Sequence, residues 1–197
     1  MRVLDRTEFE RFKHIHVGKI KQGSLFIYPT DTIYGLGCDA TNGESIKRIR
    51  KIKQREDQPF SIIAPSKDWI LENCIVNEEG AKWLDKLPGP YTFVFELKNK
   101  DALHKHVNPQ NNTIGVRIPD HWSADIAKHL GKPIVTTSPN VHGEDVMTHP
   151  EELNPEFMAH LDFVLYEGRL HNPPSAVIRL TDSEANFLRT REANQHN

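Results

Sequence analysis

The sequence lacks the features that mark secreted, disulfide-rich and membrane-spanning proteins. It has only two cysteines, Cys38 and Cys74, which are too few for a disulfide framework or a zinc quartet and are expected to be small buried apolar residues. No apolar run approaches the ~20 residues that span a bilayer. The charged start, MRVLDRTEFERFKHIH, does not resemble a secretory signal. We therefore expect a cytoplasmic protein with no membrane partner.

An excess of either charge is also missing, since 25 Lys and Arg and 27 Asp and Glu leave a formal net charge of −2. This balance argues against a general nucleic-acid coat protein, although it leaves room for a local basic groove. The 11 histidines raise the question of metal binding. The pairs His14/His16 and His104/His106 stand beside no Cys, Asp or Glu cluster in a recognised ligand pattern, so we expect surface histidines and no metal site.

Patterns of short buried strands and amphipathic helices fill most of the chain. Strands are predicted at 25–28, 59–64, 89–97, 113–118, 133–137, 161–168, 175–180 and 185–189. Helices are predicted at 7–21, 42–54, 66–73, 77–87 and 121–131. Residues 98–112 are predicted as a loop, as are the TDT and GLG segments that follow Pro29. Helices and strands alternate at first and strands cluster at the end, which predicts a mixed α/β sheet with helices packed on it, in one domain of residues 1–197.

The predicted helix at 42–54 concentrates positive charge. Its cations and the one that follows it are Lys47, Arg48, Arg50, Lys51, Lys53 and Arg55. Asn42 is the predicted N-cap, and the predicted buried stripe is Ile46, Ile49 and Ile52. At the helix end, Lys53 supplies a point charge and Arg55 a planar fork, a combination that suits a polyphosphate. The alternative is a solvated helix end, where cations are favoured by the helix dipole.

Two predicted strands end in loops of hydroxyl and amide residues, YPTDT and TTSPN. In open α/β sheets ligands lie beyond the carboxyl ends of strands, so both loops are candidates for binding phosphate or carboxylate oxygens. The alternative is turn chemistry, since the same residues favour turns. Arg117, in IGVRIP, stands near a strand end, where it can reach into a cleft, form an ion pair on the sheet face or lie exposed.

Five motifs occur in order along the chain: YPTDTIYGLGCDA, KQR, LPGPYTFVF, IGVRIP and TTSPN. Together they resemble the YrdC-like domain family, the threonylcarbamoyl-AMP synthases, from about residue 20 to about residue 190. The Lys-x-Arg and Ser-x-Asn pairs of that family are matched by Lys53/Arg55 and Ser138/Asn140. The resemblance implies a twisted mixed β-sheet with flanking helices around a positively charged cavity. Single-domain members have this chain length, so no additional C-terminal domain is expected.

The resemblance also implies an enzyme activity. L-Threonine, bicarbonate and ATP give L-threonylcarbamoyladenylate and pyrophosphate with magnesium, and the product serves tRNA threonylcarbamoyladenosine modification through downstream tRNA-modifying transferase proteins. Such a transfer depends on positioning and charge stabilisation more than on a covalent protein nucleophile. No catalytic acid or base is therefore assigned.

Site residues follow from the matched positions. The residues expected at ATP are Lys53, Arg55, Gln58, Thr113, Asn140, Thr148 and Arg189. The residues expected at threonine are Thr32, Arg117, Ser138 and Ser175. The remaining cations of the basic helix are expected to form a solvated or RNA-facing surface: Lys47, Arg48, Arg50 and Lys51.

The sequence departs from the family at several motif positions. Glu56 replaces a common Pro, Gln58 stands for Asn, and Pro139 stands in the Ser-x-Asn pair where a small residue such as Ala is common. A histidine that several members place at the end of the next strand is absent near Ile63 and Ala64, and TREAN follows Arg189 in place of Pro-Gly. The alternative function is an RNA-binding module of the same fold, for tRNA or double-stranded RNA, without adenylate synthesis. The net charge of −2 and the absence of a stacking-aromatic signature favour at most weak RNA binding.

Overall fold

A computed structural model describes residues 2–140, 147–149, 152–153 and 155–191. Its strands are β1 (Arg2–Leu4), β2 (Phe26–Tyr28), β3 (Gly35–Gly37), β4 (Ser61–Ile63), β5 (Cys74–Ile75), β6 (Tyr91–Leu97), β7 (Thr113–Arg117), β8 (Ile134–Thr136), β9 (Phe163–Leu165), β10 (Ala176–Arg179) and β11 (Asn186–Arg189). Its α-helices are α1 (Arg6–Arg11), α2 (Lys13–Lys21), α3 (Gly43–Lys53), α4 (Lys67–Asn73), α5 (Glu78–Leu84), α6 (Asp125–Leu130) and α7 (Pro155–Ala159). Short 3₁₀ helices span Lys100–Ala102 and Trp122–Ala124.

The strands form two mixed sheets that meet at one edge. The smaller sheet has the order β1-β9-β2-β3 and the larger one β11-β10-β6-β7-β4-β8, with β5 paired to β6. Isolated bridges from Leu36 to Thr137 and from Asp39 to Ile134 join β3 to β8. Parallel pairs, such as β4/β7 and β6/β10, alternate with antiparallel pairs, such as β6/β7. The predicted twisted mixed sheet with flanking helices is confirmed.

The central strands β6 and β7 have one apolar face and one polar face. Phe93, Phe95 and Val116 are fully buried in the core. Because side chains alternate along a strand, Thr92 and Arg117 point to the opposite face. This alternation gives the larger sheet a polar face on the side away from its apolar core.

The basic helix α3 forms as its sequence predicts. The Asn42 side chain accepts a hydrogen bond from the Ser45 backbone N–H at 3.1 Å and caps the helix. Ile46 and Ile49 are fully buried. The helix ends at Gln54, whose φ of 50° is left-handed and turns the chain off the helix axis. Arg55 therefore belongs to a loop, which spans residues 54–60 before β4.

The GLG segment was predicted as a loop and is instead strand β3, which pairs antiparallel with β2. Its glycines are explained by the ring of Tyr28, a fully buried side chain of β2. A Cβ placed on Gly35 or on Gly37 would lie 2.8 Å from that ring. Sequence reasoning took the glycines for a loop signal, whereas they allow an aromatic ring to lie flat across the neighbouring strand.

The predicted helix at 7–21 is two helices that meet at Phe12, whose φ and ψ are −115° and 23°. The expectation that the histidines are surface residues is wrong for His16, which is 2% exposed and packs against Phe9 and Phe163. Strands β1 and β5 and helix α7 were not predicted. Within the described ranges, three or more metal-ligating side chains do not come together at any point. None of the described helices has the length and apolar character needed to span a bilayer.

Candidate functional site

A polar cavity of about 230 Å³ lies at the junction of the two sheets, where β2 and β8 end. Its described lining residues are Thr30, Ile33, Tyr34, Gly35, Arg55, Pro59, Phe60, Ser61, Thr92, Arg117, Thr136, Thr137, Ser138, Pro174, Ser175, Val177 and Arg189. A more open recess of about 430 Å³ shares Pro174 and Arg189 with it. The two volumes together are of the size that a small-molecule ligand requires, about 300–1,000 Å³.

The two polar strand ends that the sequence singles out meet in this cavity. Thr30 follows β2, and Thr137 and Ser138 follow β8; all three line it. The bridge from Leu36 to Thr137 brings β8 beside β3, which is the antiparallel partner of β2. This places the YPTDT and TTSPN loops side by side. Residues 141–144, which continue the second loop, lie outside the described residues.

Arg117, at the end of β7, is the most completely buried cation of the cavity. Its Nη2 lies 2.5 Å from Asp31 Oδ1 in an ion pair, and its Nη1 donates to Thr32 Oγ1 at 3.2 Å. Its Nε is buried and finds no acceptor among the described residues. Burial lowers the pKa of Arg117 and Asp31 opposes that shift, so the guanidinium stays charged. Arg117 thus lines the cleft and forms an ion pair at the same time.

Thr32 accepts a hydrogen bond from Arg117 and helps to fix the position of its guanidinium group. It is fully buried and does not line the cavity itself. Thr30 Oγ1 donates to the Ile33 carbonyl at 2.7 Å and lies 3.0 Å from Thr32 Oγ1. Because the one hydroxyl proton of Thr30 is used in the first bond, Thr32 is the donor in the second. The hydrogen bonds between the Thr30 and Thr32 hydroxyl groups therefore fix the orientation of Thr32 Oγ1, which is the acceptor for Arg117.

In the neighbouring strands of the larger sheet, Ser175 joins Arg189 of β11 to Thr92 of β6. Its carbonyl accepts from Arg189 Nε at 2.9 Å, and its hydroxyl lies 3.2 Å from Arg189 Nη2 and 2.8 Å from Thr92 Oγ1. Burial lowers the pKa of Arg189, and the charge of Arg117 lowers it further. Two arginines from different strands therefore repel one another across a space that an anion would fill.

Lys53 lies behind the TTSPN loop. It is 2% exposed, and its Nζ donates to the carbonyls of Ser138 and Asn140, each at 2.6 Å. The Ser138 hydroxyl donates to the Asn140 side-chain oxygen. In this arrangement Lys53 fixes the backbone of the Ser-x-Asn loop. Its assignment to the phosphates, like that of Asn140, stays a prediction.

Arg55 projects from the 54–60 loop into the cavity. Its Nη2 donates to the Pro59 carbonyl at 2.6 Å, and its Cζ lies 5.1 Å from the centroid of the Phe60 ring. Its Nε is buried without an acceptor among the described residues. Gln58, on the same loop, has its Oε1 buried without a described donor and does not line the cavity. Burial lowers the pKa of Arg55, and the charge of Arg50 lowers it further.

The charge of the cavity lining is one-sided. Arg55, Arg117 and Arg189 line it, and its described lining includes no carboxylate, histidine or cysteine. Among the described residues, Asp31 is the acidic group that forms an ion pair with one of these arginines, Arg117. The arrangement can hold anionic groups through guanidinium, hydroxyl and backbone donors, and it offers no side chain that readily accepts a proton.

Two more predicted site residues, Thr113 and Thr148, are not among the lining residues of the cavity. Thr113 is at the other end of β7, about 13 Å from Arg117 at ~3.3 Å per residue, although both side chains are on the same face. Gly115 lies between them, and a Cβ there would come within 2.5 Å of Ser61 Oγ. Thr148 donates to Glu152 at 2.9 Å and accepts from Arg169 at 2.7 Å. Both assignments stay predictions.

The expected surface group of cations requires one correction. Lys47, Arg48 and Lys51 are exposed. Arg50 is only 8% exposed and turns into the protein, where it donates to backbone carbonyl groups such as that of His106. The spacing of the helix could not reveal this, because the carbonyl group belongs to a loop 56 residues further along the chain.

Sequence reasoning also missed two residues that shape the site. Asp31 was predicted only as part of the polar YPTDT loop, and no sequence signal linked it to Arg117, 86 residues further along the chain. Tyr34 lines the cavity, accepts from the Glu167 backbone N–H at 3.1 Å and donates to the Gly168 carbonyl at 2.6 Å. The aromatic ring was taken as part of the loop, and no sequence signal linked it to residues 167 and 168.

Comparison with known proteins agrees with the motifs. The family model Sua5_yciO_yrdC, described as telomere recombination, matches residues 18–190. A Methanocaldococcus jannaschii protein provisionally named threonylcarbamoyl-AMP synthase is 32% identical over 195 residues, covering 96% of this chain and 91% of the relative. The threonylcarbamoyl-AMP synthase of Bos taurus is 31% identical over 166 residues, which is 83% of this chain and 59% of the bovine protein.

A solved structure also matches. The crystal structure of P. abyssi Sua5 complexed with L-threonine superposes with a TM-score of 0.84 at 27% identity, covering 95% of this chain and 56% of that one. This chain therefore spans nearly the whole archaeal relative but little more than half of the bovine protein and of P. abyssi Sua5.

Proposed function

Since the chain belongs to the Sua5/YciO/YrdC family, we propose that it is a threonylcarbamoyl-AMP synthase. It converts L-threonine, bicarbonate and ATP into L-threonylcarbamoyladenylate and pyrophosphate. The observation that carries the proposal is the cavity that Arg55, Arg117 and Arg189 line together and whose described lining has no carboxylate. Relatives named for this activity match over 96% and 83% of the chain.

The threonine end of the cavity is built around Arg117. A carboxylate suits the charged guanidinium of Arg117, since charge-assisted hydrogen bonds are the strong ones. Ser138 and Ser175 line the same space and offer hydroxyl groups to a small polar amino acid. Thr32 contributes by accepting a hydrogen bond that orients Arg117. The P. abyssi protein that superposes on this chain was crystallised with L-threonine, which supports this choice of ligand.

The ATP end lies at Arg55 and Arg189. Both guanidinium groups line the cavity, and each can stabilise negative charge as pyrophosphate leaves. Lys53 and Asn140 shape the neighbouring Ser-x-Asn loop. From there the polar face of β7 runs past Gly115 to Thr113, and we place the nucleoside along that face. Gln58 and Thr148 complete the set proposed for ATP.

The proposed reaction has two steps. The threonine amine takes up bicarbonate, with loss of water, to form a carbamate. A carbamate oxygen then attacks the α-phosphorus of ATP, and pyrophosphate leaves with the electrons of the broken P–O bond. The cavity lining works by holding the two substrates in line and neutralising charge, because its described residues include no general base.

Magnesium would bind at this site to the phosphate groups of the substrate and not to protein side chains. The described cavity lining has no carboxylate, and the Asp31 carboxylate is already bound by Arg117. Magnesium commonly reaches such sites on phosphate oxygens while keeping several waters. When bound, it would offset negative charge on the phosphates.

The RNA-binding alternative is not favoured. The buried Arg117 of the cavity has no role in tracking an exposed phosphate backbone, and Arg50 is removed from the surface that was expected to do so. We propose that the adenylate passes to a tRNA-modifying transferase in the cytoplasm. Any contact of this chain with tRNA would involve the exposed Lys47 and Lys51.

The experiment that tests the proposal identifies the product. The purified chain is incubated with ATP, ¹³C-bicarbonate, L-threonine and magnesium, and the mixture is analysed by mass spectrometry. The expected product is an adenylate that carries both threonine and the ¹³C label. An unlabelled adenylate, or only ADP and phosphate, would contradict the proposal.

A further inference from the structure

Arg50 lies at the centre of a cluster of backbone carbonyl groups, near the end of α3. It is 8% exposed, and its backbone carbonyl accepts from the Arg55 N–H at 3.0 Å. Its Nη1 donates to the carbonyls of Arg55, Glu56 and Gln58 at 3.2, 3.0 and 3.2 Å. Both ends of Arg50 therefore hold the 54–60 loop, which carries Arg55 into the cavity.

The other side of the Arg50 guanidinium holds a second loop. Nε and Nη2 donate to the His106 carbonyl at 2.9 and 2.7 Å, and Nη2 also lies 3.3 Å from the Val107 carbonyl. The Val107 carbonyl in turn accepts from the Phe60 N–H at 2.9 Å. Arg50 thus ties the 54–60 loop to the 104–107 loop, which in turn holds the start of β4.

Only an arginine can occupy this position. Its five N–H groups lie in one plane and point outwards from different edges of it, so they reach both loops at once. A lysine has three donors on a single nitrogen and cannot reach both sets of carbonyls. Methionine, which has a similar length, offers no donor and would leave the carbonyl groups of the 54–60 loop without their Arg50 partner.

The positive charge of Arg50 is also not cancelled by a close carboxylate. Among the described residues no carboxylate oxygen lies within 4.0 Å of its guanidinium, and Asp57 acts on it only from further away. Arg50 and Arg55 both lie over the Phe60 ring, with Cζ to centroid distances of 4.5 and 5.1 Å. The carbonyl dipoles hold the Arg50 charge in place beside the cavity, where it adds to that of Arg55.

We propose that Arg50 is a positioning residue for the triphosphate of ATP. It fixes the loop that presents Arg55 and supplies an additional positive charge behind it, without contacting the substrate. The inference rests on the proposed function in that ATP is the polyphosphate. Beyond that function, we expect the affinity of the site for a phosphate chain to depend on Arg50, a buried residue outside the cavity lining.

The test compares Arg50→Met and Arg50→Lys with a control variant, Arg48→Met. Arg48, on the same helix, also donates to backbone carbonyls, those of Gly23 and His160 at 3.2 Å, but it holds the turn before β2 and lies away from the cavity. Dissociation constants for ATP, AMP and L-threonine are measured by calorimetry on each folded variant, and the melting temperature is recorded in parallel.

Arg50→Met should weaken ATP roughly 10- to 100-fold, the scale on which misplaced groups act, while AMP and threonine change much less. Arg50→Lys, which keeps the charge but loses the fork, should fall between Arg50→Met and the wild type. Arg48→Met should bind all three ligands as the wild type does. A purely structural role would weaken threonine and ATP together, in step with the melting temperature, and would overturn the proposal.

If Arg50→Met does not fold, Arg50→Lys decides the question, and unchanged ATP affinity in that variant would equally overturn the proposal. The outcome is separable from that of the proposed function. Wild-type protein that binds ATP in an Arg50-dependent way but makes no adenylate would contradict the function and leave this inference standing. Adenylate synthesis that ignores Arg50 would contradict the inference alone.

Discussion

Asp31 and Arg117 form a buried ion pair, with side chains 11% and 6% exposed, that joins the loop after β2 to the end of β7. Asp31 also accepts a hydrogen bond from the Asp120 backbone N–H at 3.1 Å. The loop after β2 and the turn after β7 are therefore held together by one carboxylate. Without it, a buried guanidinium would lose its counter-charge.

Asp31→Asn should lower the free energy of unfolding by about 3–5 kcal/mol, because removing one partner of a buried pair leaves the other charge uncompensated. Urea denaturation measures the loss. The control is Glu10→Gln, which breaks a partly exposed pair with Lys13 and should have no comparable effect. Equal stability of Asp31→Asn and the wild type would mean that the pair adds nothing to the fold.

Arg117→Lys should weaken threonine more than ATP. Lysine keeps the charge but cannot hold Asp31, Thr32 and a substrate carboxylate at once. A loss of about 1–3 kcal/mol in threonine binding is expected, the scale of one hydrogen bond to a charged group. Separate titrations with the two ligands measure it. Equal losses for both would show that Arg117 supports the sheet and does not bind the amino acid.

Arg55→Ala should slow adenylate formation roughly 100- to 1000-fold, as loss of a preorganised donor to developing charge does. The double variant Lys47→Ala/Lys51→Ala removes two exposed cations of the same helix and should keep its rate near normal. Turnover of both proteins under saturating substrates is the measurement. An equal loss of rate in the folded double variant would show that the active site extends along the helix.

Stability should depend on pH through His16. Its two ring nitrogens are buried without partners among the described residues, and burial, with smaller effects from Lys19 and Arg2, lowers its pKa from 6.5. The unfolded chain then binds more protons below pH 6.5, so the free energy of unfolding falls as pH drops through 6.5 towards the lower folded pKa.

His16→Met removes this titration and should flatten the pH dependence of the urea midpoint between pH 7 and pH 5, relative to the wild type. The pKa values of His106 and His121 are lowered too, so part of the slope should remain in the variant. Identical slopes for both proteins would mean that His16 is solvated in solution.

Gly35→Ala should destabilise the fold by about 1–3 kcal/mol, because its Cβ would lie 2.8 Å from the buried Tyr28 ring. Gly18→Ala is the matched control. Gly18 is inside α2 with no atom within 4 Å of a Cβ placed there, so alanine should stabilise the helix by roughly 0.5–1 kcal/mol. Thermal denaturation of the two variants should shift in opposite directions, and a neutral Gly35→Ala would contradict the packing argument.

The sequence was most informative where local chemistry decides the structure. Asn42 capped α3, Gly131 ended α6 in a left-handed conformation with φ of 70°, and the hydroxyl-rich loops appeared at the ends of β2 and β8. These features depend on residues close together in the chain, so their patterns can be interpreted without knowing the fold.

The sequence was least informative where a contact with a residue far away in the chain determines the local structure. Arg50 appeared as one more cation of an exposed helix, and its bonds to backbone carbonyls of two loops, such as those of Glu56 and His106, make it an internal residue. Gly35 and Gly37 resembled a loop until the Tyr28 ring accounted for them. The pairing of Asp31 with Arg117 joins positions 86 residues apart, which no spacing rule can supply.

The measurement that tests the central claim most directly is pyrophosphate release from ATP by the wild-type chain, with threonine and bicarbonate supplied together, singly or not at all. The account predicts release only when both are present, because the Arg117 end of the cavity must hold a threonine-derived carbamate before the α-phosphorus is attacked. ATP turnover at the same rate without threonine would contradict it and leave a nucleotide hydrolase.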